Sequence, residues 1–289
     1  IHCLARAIKN ADGKAIKYAG SIRDVTEQRN IEDDLKNKVE ELYQSNKELE
    51  EFAYVASHDL QEPLRKITTF SDRLSEKYKE VLTGDGAMYL SRMIASAENM
   101  RSLINDLLEF SRIAKSGQKF ENVPLDAILT QVRTDLELTI EETGTVITSV
   151  SLPLVDAVAS QMKQLFSNII TNAIKFHKPG IPPVINITSD IASTEEKLNF
   201  ALNPRHTYFK IQIIDNGIGF ENEYATRIFQ VFQRLHGKAE YPGSGIGLAI
   251  CKKIIEQHKG TIYAESIPDT GARFVFIIPQ HQHISKGGA

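Results

Sequence analysis

Apolar residues recur every seven positions along the stretch from about residue 27 to residue 60. One series is Leu35, Leu42, Leu49 and Ala56, and a second series, offset by four residues, is Val39, Asn46, Ala53 and Leu60. Together they fill the d and a positions of almost four heptads, which predicts a long helix in a parallel two-stranded coiled coil. Asn46 at an a position favours a dimer of fixed register. A helix packed within its own chain is the alternative.

The helical pattern continues beyond this seam. His58 falls at an f position, opposite the seam, so we expect it to face solvent. Pro63 lacks an amide donor and should kink the helix, which then resumes to about Leu82. The run Thr-Gly-Asp-Gly at 83–86 breaks the pattern, and a second helix follows to about Ile113.

The second helix has apolar residues at alternating spacings of four and three. The stripe consists of Met93, Ala97, Met100, Ile104 and Leu107. Such a stripe predicts a face that packs into a core. Two helices joined by a short turn form an antiparallel hairpin, and two hairpins form a four-helix bundle. We therefore predict an all-α helical hairpin over residues 53–115, a four-helix bundle as a dimer, preceded by a coiled-coil linker helix over 28–52.

The first residues have the alternating pattern of strands. Residues 1–23 predict two strands around a turn at residues 10–13. Two strands alone would be marginal, so the rest of their sheet should lie upstream of Ile1. Asp24 and Glu27 have capping-box spacing at the start of the long helix. Because the chain opens on strand-like sequence without Met, we expect a piece of a longer protein, whose upstream part could link it to a membrane.

Helical and strand patterns alternate after a predicted hinge at residues 114–118. The predicted elements are strand Thr145–Ser149, helix Asp156–Phe176, strands Val184–Ser189 and Tyr208–Asp215, helix Gly245–His258, and strands Thr261–Ser266 and Ala272–Pro279. This order predicts an α/β sandwich over residues 119–283, with helices on one face of a mixed sheet. The chain should fray from His281 and end in a tail over residues 284–289.

The composition excludes several classes of protein. The 289 residues suggest about two domains, and the net charge of −3 argues against a nucleic-acid binder. The longest run without Asp, Glu, Lys or Arg, Thr143 to Val155, is too short to span a bilayer, so we expect no membrane contact in this segment. Cys3 and Cys251 suggest neither a disulfide framework nor a zinc site, which favours a cytoplasmic setting.

Three elements of the second half of the chain have the chemistry of a nucleotide site. Asp215 ends a predicted strand and is followed by Gly217 and Gly219, which allow the main chain to approach a ligand. A second glycine run, at residues 243–248, opens a helix whose first N–H groups can bind an anion. On another helix Asn168 and Asn172 lie on one face with Lys175 nearby; amide oxygens suit Mg²⁺ and an ammonium group suits phosphate.

The order of these motifs resembles that of the sensor histidine kinases of two-component signalling. The resemblance rests on the run Ser-His-Asp-Leu-Gln-Glu-Pro-Leu at 57–64, the Asn run at 168–175, the Asp-Asn-Gly-Ile-Gly run at 215–219, Phe229 with Phe232, and the glycine run at 243–248. It covers about Gln44 to Pro279, and the run from Phe232 is most similar to the phytochrome-like cytoplasmic branch. Residues 1–27 resemble the last strands and exit motif of a PAS sensor domain.

The resemblance implies roles for these residues. His58 would be the phosphoacceptor, Asp59 would hold its imidazole and help to remove the proton, and Asp215 would bind the adenine amino group. Asn172 would coordinate Mg²⁺ beside Asn168, and Lys175 would bind phosphate. The other implied ATP-binding residues are Gly217, Gly219, Phe229, Phe232, Arg234, Gly243, Gly245, Gly247 and Leu248. Residues 230–244 would form a mobile lid over the nucleotide, with Phe229 and Phe232 as its hydrophobic anchors, and His236 in the lid could also touch phosphate.

Two residues depart from the family's pattern. Glu62 stands four residues after His58, where members with strong regulator-phosphatase activity have Thr or Asn, so we expect a poor phosphatase. Arg273 stands within the last glycine motif, Thr-Gly-Ala-Arg-Phe at 270–274, at a position where a small hydroxyl residue is more usual.

The resemblance implies that the chain is an ATP-dependent protein histidine kinase. It would use ATP and Mg²⁺ to phosphorylate His58 and would pass the phosphoryl group to an aspartate in the receiver domain of a response regulator. The implied assembly is a homodimer through the hairpin and coiled coil. Two alternatives remain: an ATPase of the GHKL superfamily that drives clamp motion, and a dimeric scaffold that binds nucleotide without histidine phosphotransfer.

Overall fold

The chain divides into two units, residues 1–52 and residues 53–289. The computed structural model describes residues 2–9, 15–113, 119–235, 241 and 243–282. The predicted turn at 10–13, the hinge at 114–118 and the tail at 284–289 therefore lie outside the described residues.

The first unit begins with a β-hairpin and continues into a helix. Strand β1 (His2–Lys9) pairs antiparallel with strand β2 (Ala15–Arg23), which confirms the two predicted strands. Helix α1 begins at Thr26, whose backbone N–H and hydroxyl both donate to Asp24 Oδ1, at 2.9 and 2.7 Å. Asp24 therefore fixes the start of the long helix, close to the predicted position.

Helix α1 (Thr26–Lys77) includes the last residues of the first unit and the first residues of the second, and it runs without interruption through Pro63. Proline removes a single N–H donor, and the helix keeps its remaining hydrogen bonds on both sides of that position. The helix was expected to reach Leu82 but ends at Lys77, and a turn precedes Gly84, whose φ of 56° lies in the left-handed region. Helix α2 (Asp85–Arg112) then forms the second arm of the predicted hairpin.

A small core holds the two arms of the hairpin together. Leu64 packs against Ala97 and Ile104, and Leu108 packs at the edge of this group. Gln61 Nε2 donates to Asn105 Oδ1 at 2.8 Å and so fixes the level of one helix against the other.

The predicted core stripe of α2 is only partly buried within one chain. Ala97 and Ile104 lie in the hairpin core, whereas Met93 and Met100 are exposed. Leu107 packs instead against the core of the C-terminal domain. The four-and-three spacing thus predicted burial correctly only for the part of the α2 stripe that α1 covers. Periodicity alone does not show which element, or which chain, covers the remaining residues of the stripe.

The C-terminal domain, residues 119–282, contains a five-stranded sheet in the order β4-β6-β7-β9-β8. Its strands are β4 (Val146–Ser149), β6 (Val184–Ile191), β7 (Tyr208–Asp215), β8 (Thr261–Ile267) and β9 (Gly271–Pro279). The pair β4–β6 is parallel and the other pairs are antiparallel. A separate ribbon joins β3 (Glu121–Pro124) to β5 (Leu154–Ala157). The predicted mixed sheet is confirmed.

Three helices build the core of this domain. They are α3 (Leu125–Asp135), α5 (Ala159–Lys175) and α7 (Gly247–Gln257), and the shorter helices are α4 (Glu137–Thr143) and α6 (Thr194–Asn199). Helix α5 buries one apolar face, formed by Met162, Leu165, Phe166, Ile169, Ile170 and Ala173. That face meets α3, α7 and the inner side of the sheet, as an α/β sandwich requires.

The predicted starts of two helices and of the frayed tail in this domain were wrong. Asp156 belongs to β5, where its N–H donates to the Gln280 carbonyl at 2.9 Å, so the helix expected from that residue begins at Ala159. Helix α7 begins at Gly247, because Gly245 has a φ of +73° that a helix does not accept. His281 is bonded through Nδ1 to Asp156 Oδ2 at 3.1 Å, so the chain is held beyond the residue where fraying was expected.

Candidate nucleotide site

Asp215 ends β7 at one side of a cavity of about 340 Å³. Its Oδ1 accepts hydrogen bonds from the N–H groups of Gly217 and Ala272, at 2.9 and 3.1 Å. Burial raises the pKa of this carboxyl by disfavouring its charged form, and the two N–H donors oppose the shift. Since both bonds go to Oδ1, Oδ2 is the oxygen that can accept a bond from a ligand amino group.

Two glycines allow the main chain to close around this carboxylate. Gly219 has a φ of +64°, and a side chain there would collide with the Ile267 carbonyl. Gly271 has a φ of +129°, and a Cβ there would collide with the Asp215 carbonyl. The close approach at Gly271 brings the N–H of Ala272 to the Asp215 carboxylate. The glycine of the last glycine motif thus helps to position Asp215. Arg273 itself pairs with Glu265 at 3.0 Å.

Helix α5 contributes the predicted polar face. Asn168, Asn172 and Lys175 all line the cavity. Asn168 Nδ2 donates to the Gly247 carbonyl at 3.1 Å, which ties α5 to the start of α7. Burial chiefly, and Arg234 in addition, lower the pKa of Lys175, whose ammonium lies 4.4 Å from the centre of the Phe176 ring. An anion in this cavity would relieve both costs.

Arg234 joins the two ends of the predicted lid. Its guanidinium donates to the carbonyls of Tyr241 and Gly243, at 2.6 and 2.8 Å. The Tyr241 ring lies 4.9 Å from the Phe176 ring, centre to centre. Residues 236–240 and 242, including His236, lie outside the described residues, so the lid remains a prediction over that stretch.

The start of α7 forms another part of the cavity wall. Gly243, Gly245, Gly247 and Leu248 line the cavity, as does Gly219. The N–H groups in the first turn of a helix have no partner within the helix and attract anions. The cavity therefore offers an acceptor for an amino group at one end, and an ammonium, a guanidinium and helix N–H groups for phosphate.

Two predicted aromatic residues lie apart from the cavity. Phe229 is buried in the core of the domain, whereas Phe232 is 58% exposed with a φ of 63°. Among the described residues that line the cavity, neither phenylalanine appears, and Gly217 contributes through its bond to Asp215. The expectation that both phenylalanines anchor the lid in the core thus fits Phe229 but is wrong for Phe232.

Several cavity residues were not expected from the sequence. Phe176 and Tyr241 belong to this group. Phe176 could have been found from the sequence, because it directly follows Lys175, which was predicted to bind phosphate. Helix α2 contributes Ser102, Asp106 and Glu109. No pattern within α2 could have shown this, because it depends on packing between domains.

The hairpin has the acceptor sequence on α1. The side chain of His58 lies outside the described part of the structure, so its predicted exposure at the f position stays a prediction; Asp59 is exposed. Glu62 pairs with Lys66 at 2.9 Å.

The residues of the cavity fit Mg²⁺ only together with a nucleotide. Across the described ranges, no three His, Cys, Asp or Glu side chains form a group that could hold a metal ion. Asn172 supplies one amide oxygen, and Mg²⁺ requires about six oxygen ligands, so phosphate and water must supply the others.

Comparison with known proteins assigns both halves of the second unit. Residues 157–282 match the Histidine kinase-, DNA gyrase B-, and HSP90-like ATPase family, and residues 48–116 match the His Kinase A (phospho-acceptor) domain. The chain belongs to the sensor histidine kinases. It joins a dimerisation and phosphoacceptor domain to a GHKL ATP-binding domain, as the motifs predicted.

Among its relatives, cyanobacterial phytochrome A of Nostoc sp. is 39% identical over 247 residues, which cover 86% of this chain and 30% of the phytochrome. This sensor kinase chain therefore spans about a third of that relative's length. Two solved structures share the fold. Full-length ShkA in complex with AMPPNP has a TM-score of 0.58 at 23% identity, over 79% of this chain and 45% of ShkA. ThkA in complex with the response regulator protein TrrA has a TM-score of 0.52 at 21% identity, over 96% and 74%.

A membrane-spanning helix would need a long apolar stretch. None of the helices in the part of the chain that the structure describes has one.

Proposed function

We propose that this chain transfers the γ-phosphoryl group of Mg-ATP to His58 and then to an aspartate of a response regulator. The cavity supports this most directly, because it combines the Asp215 acceptor, the Lys175 and Arg234 cations, and the glycine start of α7. The match of residues 48–116 to a phosphoacceptor domain supports His58, which lies in that range, as the acceptor.

The residues of the cavity divide the work of binding and orientation. Asp215 Oδ2 accepts a bond from the adenine amino group, and the buried position of the carboxylate makes this bond selective. Lys175, Arg234 and the first N–H groups of α7 hold the phosphates and neutralise the charge that develops on them. When bound, Mg²⁺ supplies further charge neutralisation, and Asn172 is its ligand from the protein.

The transfer step needs a neutral imidazole. A bond forms between an imidazole nitrogen of His58 and the γ-phosphorus, and the bond to the β–γ bridging oxygen breaks, so ADP leaves with that electron pair. Asp59 holds the imidazole and takes up the proton that the ring nitrogen releases. Transfer to the aspartate of a regulator regenerates the free imidazole. ThkA was solved with a response regulator, which supports a receiver domain as the partner of this chain too.

A homodimer is the assembly that the hairpin favours. The heptad seam continues beyond Leu60 as Ile67, Phe70 and Leu74, and these residues are exposed in the single chain, as are Leu35 and Val39. The adjacent e positions, Ser57, Leu64 and Ser71, are buried. The face of α1 with the e positions thus packs within the chain, whereas the seam is left for a second copy of the chain. Two hairpins paired in this way form a four-helix bundle. The side chain of Asn46 lies outside the described residues.

Two features of the surroundings belong to the same proposal. The β1–β2 hairpin and the Asp24 cap of α1 fit the last strands and exit of a PAS domain, which would pass a signal into the coiled coil. Cys251 is buried and not in a disulfide, and burial raises the pKa of its thiol to about 12, which keeps the thiol unreactive.

The test is incubation of the chain with γ-labelled ATP and Mg²⁺. We expect label that is acid-labile and base-stable, as phosphohistidine is. The variant His58→Gln should lose all label while keeping its nucleotide affinity, whereas Asp215→Asn should lose nucleotide affinity because an amide can present a donor to the adenine amino group. Strong label on another residue would contradict the assignment.

The same experiment separates the two alternatives. Steady release of phosphate without label on the protein would favour a GHKL ATPase. Nucleotide binding with neither label nor phosphate release would favour a scaffold.

A further inference from the structure

Helix α2 docks on the C-terminal domain through its last turns. Lys253 of α7 donates from Nζ to the Phe110 carbonyl at 2.8 Å, and the same ammonium lies 4.2 Å from the centre of the Phe110 ring. Leu107 and Phe110 pack against the core of the domain, and Ile113 is buried within it. An ammonium at the C-terminal end of a helix also meets the negative end of the helix dipole. This contact brings α2 against the nucleotide cavity.

Two carboxylates accompany the docked helix into the cavity. Asp106 and Glu109 are three residues apart, on one face of α2, and both line the cavity together with Lys175 and Arg234. Burial and the neighbouring Asp106 raise the pKa of Glu109, while Arg112 opposes this shift. The pair therefore already carries an electrostatic cost at this position.

Two contacts set the level at which these carboxylates lie. Lys253 lies six residues after Gly247, roughly 9 Å along α7 from the glycine start, where the proposed function places the phosphates. Glu109 adjoins Phe110, the residue that Lys253 holds. The Gln61–Asn105 bond further sets the backbone of His58 level with about residue 108 of α2, because the two helices run antiparallel. Asp106 and Glu109 thus lie at about the same level along the hairpin as His58.

We propose that Asp106 and Glu109 are selectivity residues of the nucleotide site, which disfavour a nucleoside triphosphate relative to a diphosphate while α2 is docked. This inference rests on the proposed function of the cavity. A γ-phosphate adds negative charge next to two carboxylates, so triphosphate binding and docking oppose each other. By linkage, docking weakens triphosphate binding by the same factor by which the triphosphate weakens docking. ATP would therefore weaken the docking of the domain on α2 more than ADP does.

The test compares the affinities of the full chain for Mg-ADP and for the Mg complex of a non-hydrolysable ATP analogue by calorimetry. In the variant Asp106→Asn/Glu109→Gln, affinity for the analogue should rise by at least about fivefold, the lower end of typical coupling between sites, and affinity for ADP should rise less. The matched control, Asp72→Asn/Glu98→Gln, removes the same charge from exposed hairpin positions. A ratio of affinities that changes equally in both variants would overturn the proposal.

A second variant tests the docking contact itself. Lys253→Met keeps an apolar side chain beside Phe110 but removes the ammonium donor. In the otherwise wild-type chain, Lys253→Met should raise the affinity for the analogue relative to that for ADP. It should not change this ratio when Asp106 and Glu109 have already been replaced by Asn and Gln. An equal effect in both backgrounds would mean that Lys253 acts without the carboxylates, against the proposal.

The outcome is separable from that of the proposed function. If the wild type labels His58 but the affinity ratio does not respond to Asp106 and Glu109, the selectivity proposal fails alone. If the ratio responds but no label reaches His58, the kinase proposal fails alone.

Discussion

The helical hairpin and the C-terminal domain bury their apolar residues in opposite ways. Within one chain, the hairpin core consists of Leu64, Ala97 and Ile104, with Leu108 at its edge, while large apolar side chains such as Phe70 stay 65% exposed. The C-terminal domain closes its core with its own sheet and helices, and Phe166, Met162 and Phe276 are fully buried there.

The difference separates two kinds of stability. Burying a Phe or Ile side chain contributes about 1.5–3 kcal/mol, and the hairpin forgoes this gain at each exposed seam position until a second chain covers it. The C-terminal domain also exposes large apolar side chains, among them Leu138 and Ile191, but it completes its core within one chain. Association should thus govern the hairpin, and local packing should govern the nucleotide domain.

The strongest way to break this comparison is Phe70→Asp. A carboxylate on the seam would have to be buried next to its copy in the dimer, so we expect dimerisation to weaken by more than about a hundredfold. Sedimentation at micromolar concentration should show a monomer, while nucleotide binding by the C-terminal domain persists. The control Val81→Asp changes an apolar residue that is 77% exposed in the turn between the helices and should leave the dimer intact.

The reciprocal change is Gly271→Ala in the C-terminal domain. A Cβ at this position meets the Asp215 carbonyl in a backbone conformation that alanine disfavours, so the free energy of unfolding of the domain should fall by about 2–4 kcal/mol. Nucleotide binding should be lost with it, because Ala272 would leave Asp215, and the hairpin should still dimerise. Gly180→Ala is the matched control, since Gly180 also has a positive φ but no atom within 4 Å of a Cβ. Full nucleotide affinity in Gly271→Ala would contradict this reading.

The sequence predicts each region only as far as its local pattern reaches. The strand Tyr208–Asp215 was predicted with its observed bounds, because alternation and the following glycines mark it within a few residues. The α5 face of Asn168, Asn172 and Lys175 followed from helical spacing, and the cavity unites all three. Such features depend on neighbours in sequence, which a pattern can record.

Other features depend on contacts between distant segments. Strand β3 is only four residues long and forms because it pairs with β5, and the Leu125 N–H donates to the Pro153 carbonyl at 3.1 Å. Helix α3 is different: its buried Leu125, Ile128, Leu129 and Val132 have helical spacing, so a local pattern was present and was missed. The α2 carboxylates line the cavity because the end of α2 docks on the C-terminal domain, through the packing of Leu107 and Phe110 and the bond from Lys253. Phe232 departs from its expected anchoring role because its backbone turns to a positive φ, which sends it to the surface.

A smaller effect, confined to the C-terminal domain, should come from His258. Its Nε2 accepts from the Val158 N–H at 3.1 Å, its Nδ1 lies 2.7 Å from the Ile254 carbonyl, and burial lowers its pKa below the ordinary 6.5. A proton on Nε2 would face the Val158 N–H. The unfolded chain takes up this proton near pH 6.5 and the folded domain only at lower pH, so this contribution to stability is complete above 6.5 and is lost as pH falls through the folded-state pKa.

Urea unfolding of the nucleotide domain between pH 5 and pH 8 measures this effect. The wild type should lose stability on acidification more steeply than His258→Gln, which cannot ionise. His281→Gln serves as the control, because His281 is exposed and pairs with Asp156. Equal slopes for the wild type and His258→Gln would show that another group controls the acid response.

The smallest effect belongs to the hairpin and concerns the reverse reaction. Hydrolysis of an aspartyl phosphate on the regulator needs a water held in line, and a neutral hydroxyl or amide can orient it. Glu62 would instead bring a carboxylate against an anionic phosphoryl group, and its exposed pairing with Lys66 offsets little of that charge. We therefore expect Glu62→Thr to raise the rate of regulator dephosphorylation by roughly three- to tenfold, a gain that one removed like charge can supply.

The assay uses ADP and Mg²⁺ with His58→Gln in every chain, so that no phosphoryl group returns to the kinase. Glu98→Thr, on an exposed face of α2, is the matched control, and fast dephosphorylation by the chain with Glu62 that Thr does not improve would show that charge at this position does not limit the reaction.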